Sequence, residues 1–271
     1  MADIISLTGD LGSGKSTVSS ILCSQLSYEY IYTGQIQRNI AERYSMTTNE
    51  LNVYAETHPE IDQEIDDTFR SLGDAHRLVV DSRLAWFFIP NSFKVFLKTN
   101  IIVSAQRIAK DTLRINENYA SLQEAAMGII ERKKSEVKRY KQYYNVDCLD
   151  LTNYHLIIDT TEILPEQVGE IILSEFRNFN LQGNDYKNKA FISPKNLLPT
   201  NTADTTADKI EIAYNNAFDY IIRGHILVEN ALKENLPIVE VSYINSEDIV
   251  PSPDIINQWE IQNNFKFLIK P

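Results

Sequence analysis

A glycine-rich loop near the start of the chain carries the residues best suited to bind phosphate groups. Residues 9–16 read GDLGSGKS, which is the GxxxxGK[ST] spacing of a phosphate-binding loop. The glycines let the backbone turn its N–H groups toward a polyphosphate. The ammonium of Lys15 would meet the β- and γ-phosphates, and the hydroxyl of Ser16 would bind Mg²⁺. This pattern predicts a site for a nucleoside triphosphate.

The sequence around the loop predicts the elements that such a loop needs. An apolar run at residues 4–8 predicts a buried strand before the loop, and residues 17–26 predict a helix after it. The positive end of that helix would add to the field that attracts phosphate. A glycine-rich turn without a ligand is the structural alternative. The residues predicted to bind ATP are Gly9, Gly12, Ser13, Gly14, Lys15, Ser16 and Thr17.

A carboxylate and two arginines extend this chemistry. Asp81 ends the apolar run at residues 77–81, where its carboxylate would hold Mg²⁺ or its waters together with Ser16. Arg38 and Arg83 could hold a second phosphate, because a guanidinium binds phosphate oxygens with two N–H groups. The structural alternatives are a helix or loop cap for Asp81 and solvated surface charges for the arginines.

The densest basic stretch of the chain lies at residues 131–141 and reads ERKKSEVKRYK. Arg132 and Arg139 are seven residues apart, so they share one face of a helix. Such a face suits a lid that covers transferring phosphates, neutralises their charge and excludes water. A solvated helix with Glu–Lys pairs is the alternative.

Short apolar runs alternate with longer amphipathic segments in the first 176 residues. The runs predict strands at residues 4–8, 30–32, 77–81, 93–98 and 156–159. The other segments predict helices at residues 17–26, 35–43, 48–58, 61–72, 102–113, 122–144 and 165–176. This alternation is typical of an α/β fold, here a P-loop parallel sheet flanked by helices.

The composition changes near residue 178. Residues 179–190 are polar and predict a linker. The chain is therefore predicted to divide into a domain at residues 1–178 and a small α+β domain at residues 191–271. In the second domain we expect strands at residues 219–222 and 238–244, with a helix at residues 227–234.

Composition and charge restrict the class of protein. The chain has 271 residues, 43% hydrophobic and 23% charged, as in ordinary globular proteins. Its formal net charge of −11 argues against a general nucleic-acid-binding protein, which needs a basic face. The sequence shows no apolar stretch long enough to span a membrane and no recognisable signal peptide. Cys23 and Cys148 form no metal or disulfide pattern, so a cytoplasmic protein is expected.

Four segments within about 175 residues resemble the short cytidylate (CMP) kinase family. They are residues 32–38 (YTGQIQR), 58–66 (HPEIDQEID), 81–85 (DSRLA) and the stretch from 131 to 154. The resemblance implies transfer of the γ-phosphoryl group of ATP, with Mg²⁺, to a pyrimidine nucleoside monophosphate, CMP or dCMP. The implied ligands are therefore small nucleotides.

The resemblance also implies roles for individual residues. Arg38 and Arg83 would hold the acceptor phosphate, and Asp66 would contact the base or sugar of the acceptor. Arg132 and Arg139 would act from the lid and, with Lys15, form the catalytic set. No strong base is needed, since phosphoryl transfer depends mostly on positioning and charge.

The chain departs from the family pattern at three positions near the site. Gln35 stands where the family usually has aspartate, Ser82 where it has glycine, and Asp10 where it has a small residue or proline. Gln35 and Ser82 bear on the acceptor more than on ATP. Two alternatives therefore stay open: a kinase for a different small acceptor, and an ATP-binding regulatory module that signals through the second domain.

The second domain resembles, more loosely, the ParB/sulfiredoxin-like fold. The segments that carry this resemblance are residues 192–199 and 220–225, the latter ending in Gly224-His225. Families of that fold with catalytic activity usually have arginine after this pair, whereas Ile226 follows it here. His225 is therefore either a structural residue or a catalytic one. An accessory domain that binds a ligand or partner, or that modulates the kinase, is expected.

Overall fold

The computed structural model describes residues 2–55, 57–58, 60–110, 119, 121–200, 206–215, 217–245 and 252–271, without the side chains of residues 48, 49, 52 and 53. Ten strands within these ranges form one sheet. The first five are β1 (Ile4–Gly9), β2 (Glu29–Tyr32), β3 (Leu78–Asp81), β4 (Phe93–Lys98) and β5 (Leu156–Asp159). The others are β6 (Lys189–Ile192), β7 (Leu197–Leu198), β8 (Glu211–Asn215), β9 (Phe218–Arg223) and β10 (Val239–Tyr243). Their order across the sheet is β2-β3-β1-β4-β5-β6-β10-β8-β9-β7.

Helices cover both faces of the first half of this sheet. They are α1 (Lys15–Leu26), α2 (Thr33–Arg43), α3 (Thr48–Ala55), α4 (Glu60–Ser71), α5 (Ala85–Phe88), α6 (Ile101–Lys110), α7 (Leu122–Tyr144) and α8 (Pro165–Gln182), followed by α9 (His225–Lys233) and α10 (Pro253–Asn263). In the part of the chain that is described, none is both long and apolar enough to cross a membrane.

The strands and helices expected in the first 176 residues are confirmed, with changes at some helix ends. The helix predicted at residues 48–58 ends at Ala55, and the one predicted at 102–113 is described as far as Lys110. Residues 111–113 of that prediction lie outside the described residues. The α/β fold with a P-loop parallel sheet flanked by helices is therefore confirmed.

Strand β1 is buried along its whole length because helices cover both of its faces. It pairs in parallel with β3 on one side and β4 on the other. Ile5 packs in a cluster with Val18 of α1 and Ile172 of α8, whereas Ile4 packs with Ile40 of α2 on the opposite face. These two layers hold the carboxyl ends of β1, β3 and β4 side by side at one edge of the sheet.

The segment expected to be a linker belongs to regular structure at both of its ends. Helix α8 continues to Gln182, and β6 begins at Lys189 and pairs in parallel with β5. The helix continues because Phe179 packs against Phe93, with ring centroids 5.1 Å apart. The side chain of Asn180 also accepts a 2.7 Å hydrogen bond from the backbone N–H of Ala2. The linker prediction is wrong at residues 179–182 and 189–190, and the division into two domains stays a prediction.

The strands and helix expected in the second part are confirmed as β9, β10 and α9, while β6, β7, β8 and α10 were not expected. Strand β10 lies antiparallel to β6, and it pairs in parallel with β8. One hydrophobic cluster contains Trp86 and Tyr154 from the first part together with Ile221 and Val241 from the second. The two parts therefore share a sheet and a core. The likeness of residues 191–271 to the ParB/sulfiredoxin-like fold stays a prediction.

Candidate active site

The loop between β1 and α1 has the backbone conformation that its glycines predict. Gly9, Gly12 and Gly14 have φ angles of 152°, 72° and 83°, which residues with a Cβ rarely adopt. A Cβ on Gly9 would lie 2.3 Å from the carbonyl oxygen of Leu97, and one on Gly12 would lie 2.9 Å from Cα of Ser104. The loop is thus packed so closely against β4 and α6 that only glycine fits at these two positions.

Lys15 is held within the loop by backbone carbonyl groups. Its Nζ donates to the carbonyl oxygens of Gly9 at 3.1 Å and Asp10 at 2.9 Å. Burial, reinforced by the nearby charge of Arg83, lowers the pKa of Lys15 to about 8. An anionic phosphate beside this amine would favour its charged form.

The other residues predicted to bind ATP surround the start of α1. Ser16 and Thr17 lie exposed in its first turn, where the helix has its free N–H groups. The buried hydroxyl of Ser13 donates to the carbonyl oxygen of Asp10 at 2.8 Å and so braces the loop. The structure brings all seven residues together, and their contacts with ATP stay a prediction.

Asp81 ends β3 beside the loop, in register with Leu7 of β1. One of its carboxylate oxygens accepts a 3.2 Å hydrogen bond from the hydroxyl of Tyr30. Burial and the neighbouring carboxylate raise the pKa of Tyr30, so its hydroxyl stays a donor. Asp81 and Ser16 offer hard oxygen atoms, which suit Mg²⁺, an ion that takes few protein ligands and keeps several waters. The described residues contain no cluster of three or more His, Cys, Asp or Glu side chains suited to bind a metal.

Arg83 lies directly over the loop and connects it to α7. Its guanidinium donates to the carbonyl oxygen of Gly9, and its Nε forms a 2.9 Å ion pair with Glu136. The same carboxylate binds Nε of Arg132 at 3.1 Å. Glu136 therefore joins two of the arginines that the sequence assigns to phosphate binding.

Helix α7 crosses this site and is anchored at both ends. The side chain of Ser121 caps its first turn, and Asn145, with a φ of 54°, ends it. Near its middle, Lys133 forms a 2.8 Å ion pair with Asp10 of the loop. At its far end, Tyr144 donates a 3.1 Å hydrogen bond to Asp66 of α4. Burial raises the pKa of the Asp66 carboxyl.

Arg38 and Arg139 lie outside the cluster formed by Arg83, Arg132 and Glu136. The guanidinium of Arg38 donates to the hydroxyl of Tyr32 and lies 5.2 Å from the centre of that ring. The guanidinium of Arg139 lies 5.4 Å from the centre of the Tyr140 ring. The geometry therefore brings only two of the four predicted arginines into contact with one carboxylate.

Three residues that hold the site together were not predicted to do so. Asp10 was noted only as a departure from the family pattern. Its carboxylate accepts hydrogen bonds from the ammonium of Lys133 and, at 3.1 Å, from the backbone N–H of Thr99. Burial opposes ionisation of Asp10, but the contact with Lys133, the charge of Lys98 and the hydrogen bond from Thr99 together outweigh it, so the pKa of its carboxyl lies below the usual value. Arg107 donates to the carbonyl oxygens of Gly12 at 3.2 Å and Thr160 at 2.7 Å. Lys133 and Arg107 carry no sequence signal beyond their charge.

A buried ion pair lies next to this site and joins β4 to β9. Lys98, at the end of β4, pairs with Asp219 and donates to the hydroxyl of Tyr243 at 3.1 Å. Burial alone would lower the pKa of Lys98, but the carboxylate of Asp219 raises it well above the usual value. The second part of the chain therefore contributes charged groups close to the loop.

His225 occupies a structural position in the second part. It is buried at the start of α9, and its Nε2 accepts a 3.2 Å hydrogen bond from the backbone N–H of Thr200. Its ring also packs edge-on against Trp259, with centroids 5.9 Å apart. These contacts agree with the structural alternative for this residue.

Comparison with known proteins gives the family. The model of the cytidylate kinase-like family matches residues 4–162, which include the loop, Asp81, Arg83 and the whole of α7. The chain belongs to this family. A cytidylate kinase from Sulfolobus acidocaldarius is 35% identical over 180 residues, which are 65% of this chain and 96% of that protein. A cytidylate kinase from Methanothrix thermoacetophila is 40% identical over 157 residues, 58% of this chain and 88% of that protein.

Two further matches place the family segment in other contexts. An S-adenosylmethionine-dependent nucleotide dehydratase from Lacinutrix mariniflava is 33% identical over 178 residues, 65% of this chain but 36% of that protein. A similar segment therefore forms part of a longer protein. The crystal structure of an uncharacterized protein from Eubacterium ventriosum has a TM-score of 0.50 at 13% identity, covering 64% of this chain and 98% of that one. That likeness concerns the fold alone.

Proposed function

We propose that the protein transfers the γ-phosphoryl group of ATP to a nucleoside monophosphate, CMP or dCMP. The observation that carries the proposal is the position of Glu136, which joins Arg132 to Arg83, and the guanidinium of Arg83 donates to the carbonyl oxygen of Gly9 in the loop. A phosphate-binding loop and two guanidinium groups thus converge on one point. Phosphoryl transfer requires such a concentration of positive charge around the transferred group. Family membership over residues 4–162 supports the same reaction.

The residues of the loop would hold the donor. Lys15 would exchange its carbonyl partners for oxygens of the β- and γ-phosphates. Ser16 and Asp81 would hold Mg²⁺, which would supply positive charge that offsets part of the charge on the phosphates. Arg83 and Arg132 would move from Glu136 to the phosphates and stabilise the transition state. We assign the lid role to α7, because its Lys133 already contacts the loop through Asp10.

The acceptor would lie on the side of α2 and α4. Arg38 and Arg83 are proposed to bind its phosphate, and Asp66 to contact its base or sugar. The carbonyl oxygen of the Gln35 side chain is buried and has no hydrogen-bond partner among the described residues. An amide in this position suits the hydrogen-bonding edge of a base. Gln35 would therefore replace the usual aspartate in acceptor recognition.

We also propose a cytoplasmic setting. Cys23 and Cys148 are both free thiols, which a reducing compartment preserves. The ligands would be small nucleotides, and no nucleic acid is proposed as a partner, since the net charge is −11.

The deciding experiment is a panel of acceptors. Release of ADP from Mg-ATP is measured with CMP, dCMP, UMP, AMP, GMP and shikimate, and the phosphorylated product is identified by mass spectrometry. The proposal expects the highest kcat/KM with CMP or dCMP. Stimulation only by an acceptor other than a nucleotide would support a redirected kinase. Tight ATP binding without transfer to any acceptor would instead support the regulatory module.

A further inference from the structure

The cavity beside the phosphate-binding loop receives residues from the second part of the chain. Its volume is about 950 Å³, and Gly9, Asp10 and Lys133 line it on the side of the loop and α7. Tyr214 of β8 and Asp219 of β9 line it from the opposite side. Both of these residues lie beyond the family segment, which ends at residue 162. The second part therefore adds a carboxylate to the proposed phosphoryl-transfer site.

Two ion pairs lie side by side around this cavity. Lys133 of α7 pairs with Asp10 of the loop at 2.8 Å, and Lys98 of β4 pairs with Asp219 of β9. The hydroxyl of Tyr243 supports the second pair, since it donates to Asp219 at 3.0 Å and accepts from Lys98 at 3.1 Å. The first pair joins the proposed lid helix to the loop, and the second joins the site to the second part of the chain.

Asp10 lies next to both of these lysines. Its backbone N–H donates to the carbonyl oxygen of Leu97 at 2.9 Å, and its carboxylate accepts from the backbone N–H of Thr99 at 3.1 Å. These two residues flank Lys98 in the sequence. Burial opposes ionisation of Asp10, but the charge of Lys133 and, to a smaller extent, that of Lys98 lower the pKa of its carboxyl. The carboxylate of Asp10 is therefore within the electrostatic reach of either lysine.

The two lysines differ in their access to water. The side chain of Lys98 is 16% exposed, whereas that of Lys133 is 37% exposed. A buried ammonium that loses its partner carries a large desolvation cost, while a more exposed ammonium can be solvated by water. If Asp219 lost its charge, Lys98 would therefore take Asp10 as its partner, and Lys133 would turn to solvent.

We propose that Asp219 is a positioning residue for the lid: by holding Lys98, it reserves the carboxylate of Asp10 for Lys133 and so keeps α7 attached to the phosphate-binding loop. Arg132 precedes Lys133 on α7, so this attachment also sets the position of its guanidinium. The catalytic part of this inference rests on the proposed phosphoryl transfer, whereas the attachment itself does not. The second part of the chain thus acts on the site through one carboxylate.

The attachment is tested on the full-length protein without ATP or acceptor. The coupling between Lys133→Met and Asp10→Asn is measured by urea unfolding in the wild-type protein and again in the Asp219→Asn variant. We expect the coupling to fall by about half or more in Asp219→Asn, because Lys98 then competes for Asp10. In the variant Lys98→Met/Asp219→Asn the competing ammonium is absent, and the coupling should return to its wild-type value.

Two further variants make this test independent of the stability of Asp219→Asn. Tyr243→Phe loosens the hold on Lys98 without a change of charge and should lower the coupling in the same direction by a smaller amount, so it decides the question if Asp219→Asn does not fold. Asp208→Asn is the matched control: it removes the same charge from the second part at a side chain that is 83% exposed, and it should leave the coupling unchanged.

The catalytic consequence is measured separately, with the acceptor that the panel identifies. Asp219→Asn should lower kcat about fivefold or more, since Arg132 loses its position, and it should change KM for ATP less than about twofold, since the groups of the loop remain. Lys98→Met/Asp219→Asn should recover most of kcat. An unchanged coupling, an equal loss in Asp208→Asn, or a lower coupling with unchanged kcat would overturn the proposal. A lower coupling without transfer to any acceptor would confirm the attachment and refute the proposed function instead.

Discussion

The ion pair between Asp10 and Lys133 should stabilise the folded chain by an amount that can be measured. Lys133→Met removes the ammonium and keeps most of the aliphatic side chain. The side chain of Asp10 is only 15% exposed. It would keep the hydrogen bond from the backbone N–H of Thr99 but lose its charged partner. A hydrogen bond to a charged group contributes about 1.5–3 kcal/mol, and the partial exposure of Lys133, 37%, reduces this through solvent screening. We expect a loss of about 1–2 kcal/mol in the free energy of unfolding.

A double-mutant cycle isolates the pair from the packing of each residue. The variants are Lys133→Met, Asp10→Asn and the two combined, each unfolded in urea and followed by circular dichroism. The amide oxygen introduced by Asp10→Asn can still accept from Thr99, so the combined variant should lose less than the sum of the single losses, with a coupling energy of about 1 kcal/mol. Lys134→Met, at an exposed neighbouring position, serves as the control and should change stability by less than about 0.5 kcal/mol. A coupling energy of zero would refute the reasoning.

The contribution of the Asp10–Lys133 pair to the free energy of unfolding should depend on pH in a defined direction. Asp10 has a folded-state pKa below its ordinary value of 3.8, so its contribution is present above pH 3.8 and is lost as the pH falls through the lower folded value. The difference in stability between the wild-type protein and Asp10→Asn should therefore be constant near neutral pH and should shrink only in acid. A difference that disappeared between pH 6 and 8 would contradict this assignment.

Three further predictions test the site and the core. The pKa of Lys15 is lowered to about 8, so KM for ATP should rise as the pH increases through 8, because the amine loses its charge. Initial rates at fixed Mg²⁺ measure this. Lys15→Ala should abolish transfer. Glu136→Gln should change kcat more than stability, since it releases Arg83 and Arg132; a thermal scan and a kinetic assay on the same samples separate the two effects. Trp86→Ala should cost about 3–5 kcal/mol in urea unfolding because the ring is buried in the shared core, whereas Phe87→Ala, at a residue 38% exposed, should cost under about 1.5 kcal/mol.

Much of the first half of the fold follows from local sequence signals. The apolar runs of β1, β3 and β4 and the loop at residues 9–16 predict both the parallel sheet and the position of the phosphate site. These signals are strong because a strand buried on both faces is apolar throughout, and because the loop requires glycine where φ is positive. The positions of Lys15, Ser16 and Asp81 at one edge of the sheet were therefore predictable from the sequence, and their roles stay predictions.

The contacts that join distant segments could not be predicted in the same way. Glu136 joins Arg83 to Arg132, and Asp10 joins the loop to Lys133. In the sequence, these charged residues cannot be distinguished from charged residues that face solvent. Sequence spacing gives the face of a helix on which a side chain lies, but it does not give the element that packs against that face. For the same reason Arg139 was grouped with Arg132, although only Arg132 binds the carboxylate of Glu136.

The end of α8 shows why composition wrongly predicted a linker at residues 179–182. Its polar residues suggest a linker, yet Asn180 binds the backbone of Ala2 and Phe179 packs on Phe93. Both partners lie far away in the sequence, so no local pattern records them. A polar stretch becomes helix here because tertiary contacts outweigh its composition.

The shared sheet has a consequence for the bulky residues that follow Arg83. Trp86 lies in a family segment, yet its indole packs in the cluster formed with β9 and β10, and its ring lies 5.8 Å from that of Tyr154. If residues 189–271 were removed, this core would be exposed and the edge of β5 would lose its partner, a change that favours aggregation. We therefore expect residues 1–188 alone to be less stable than the full chain and to aggregate more readily.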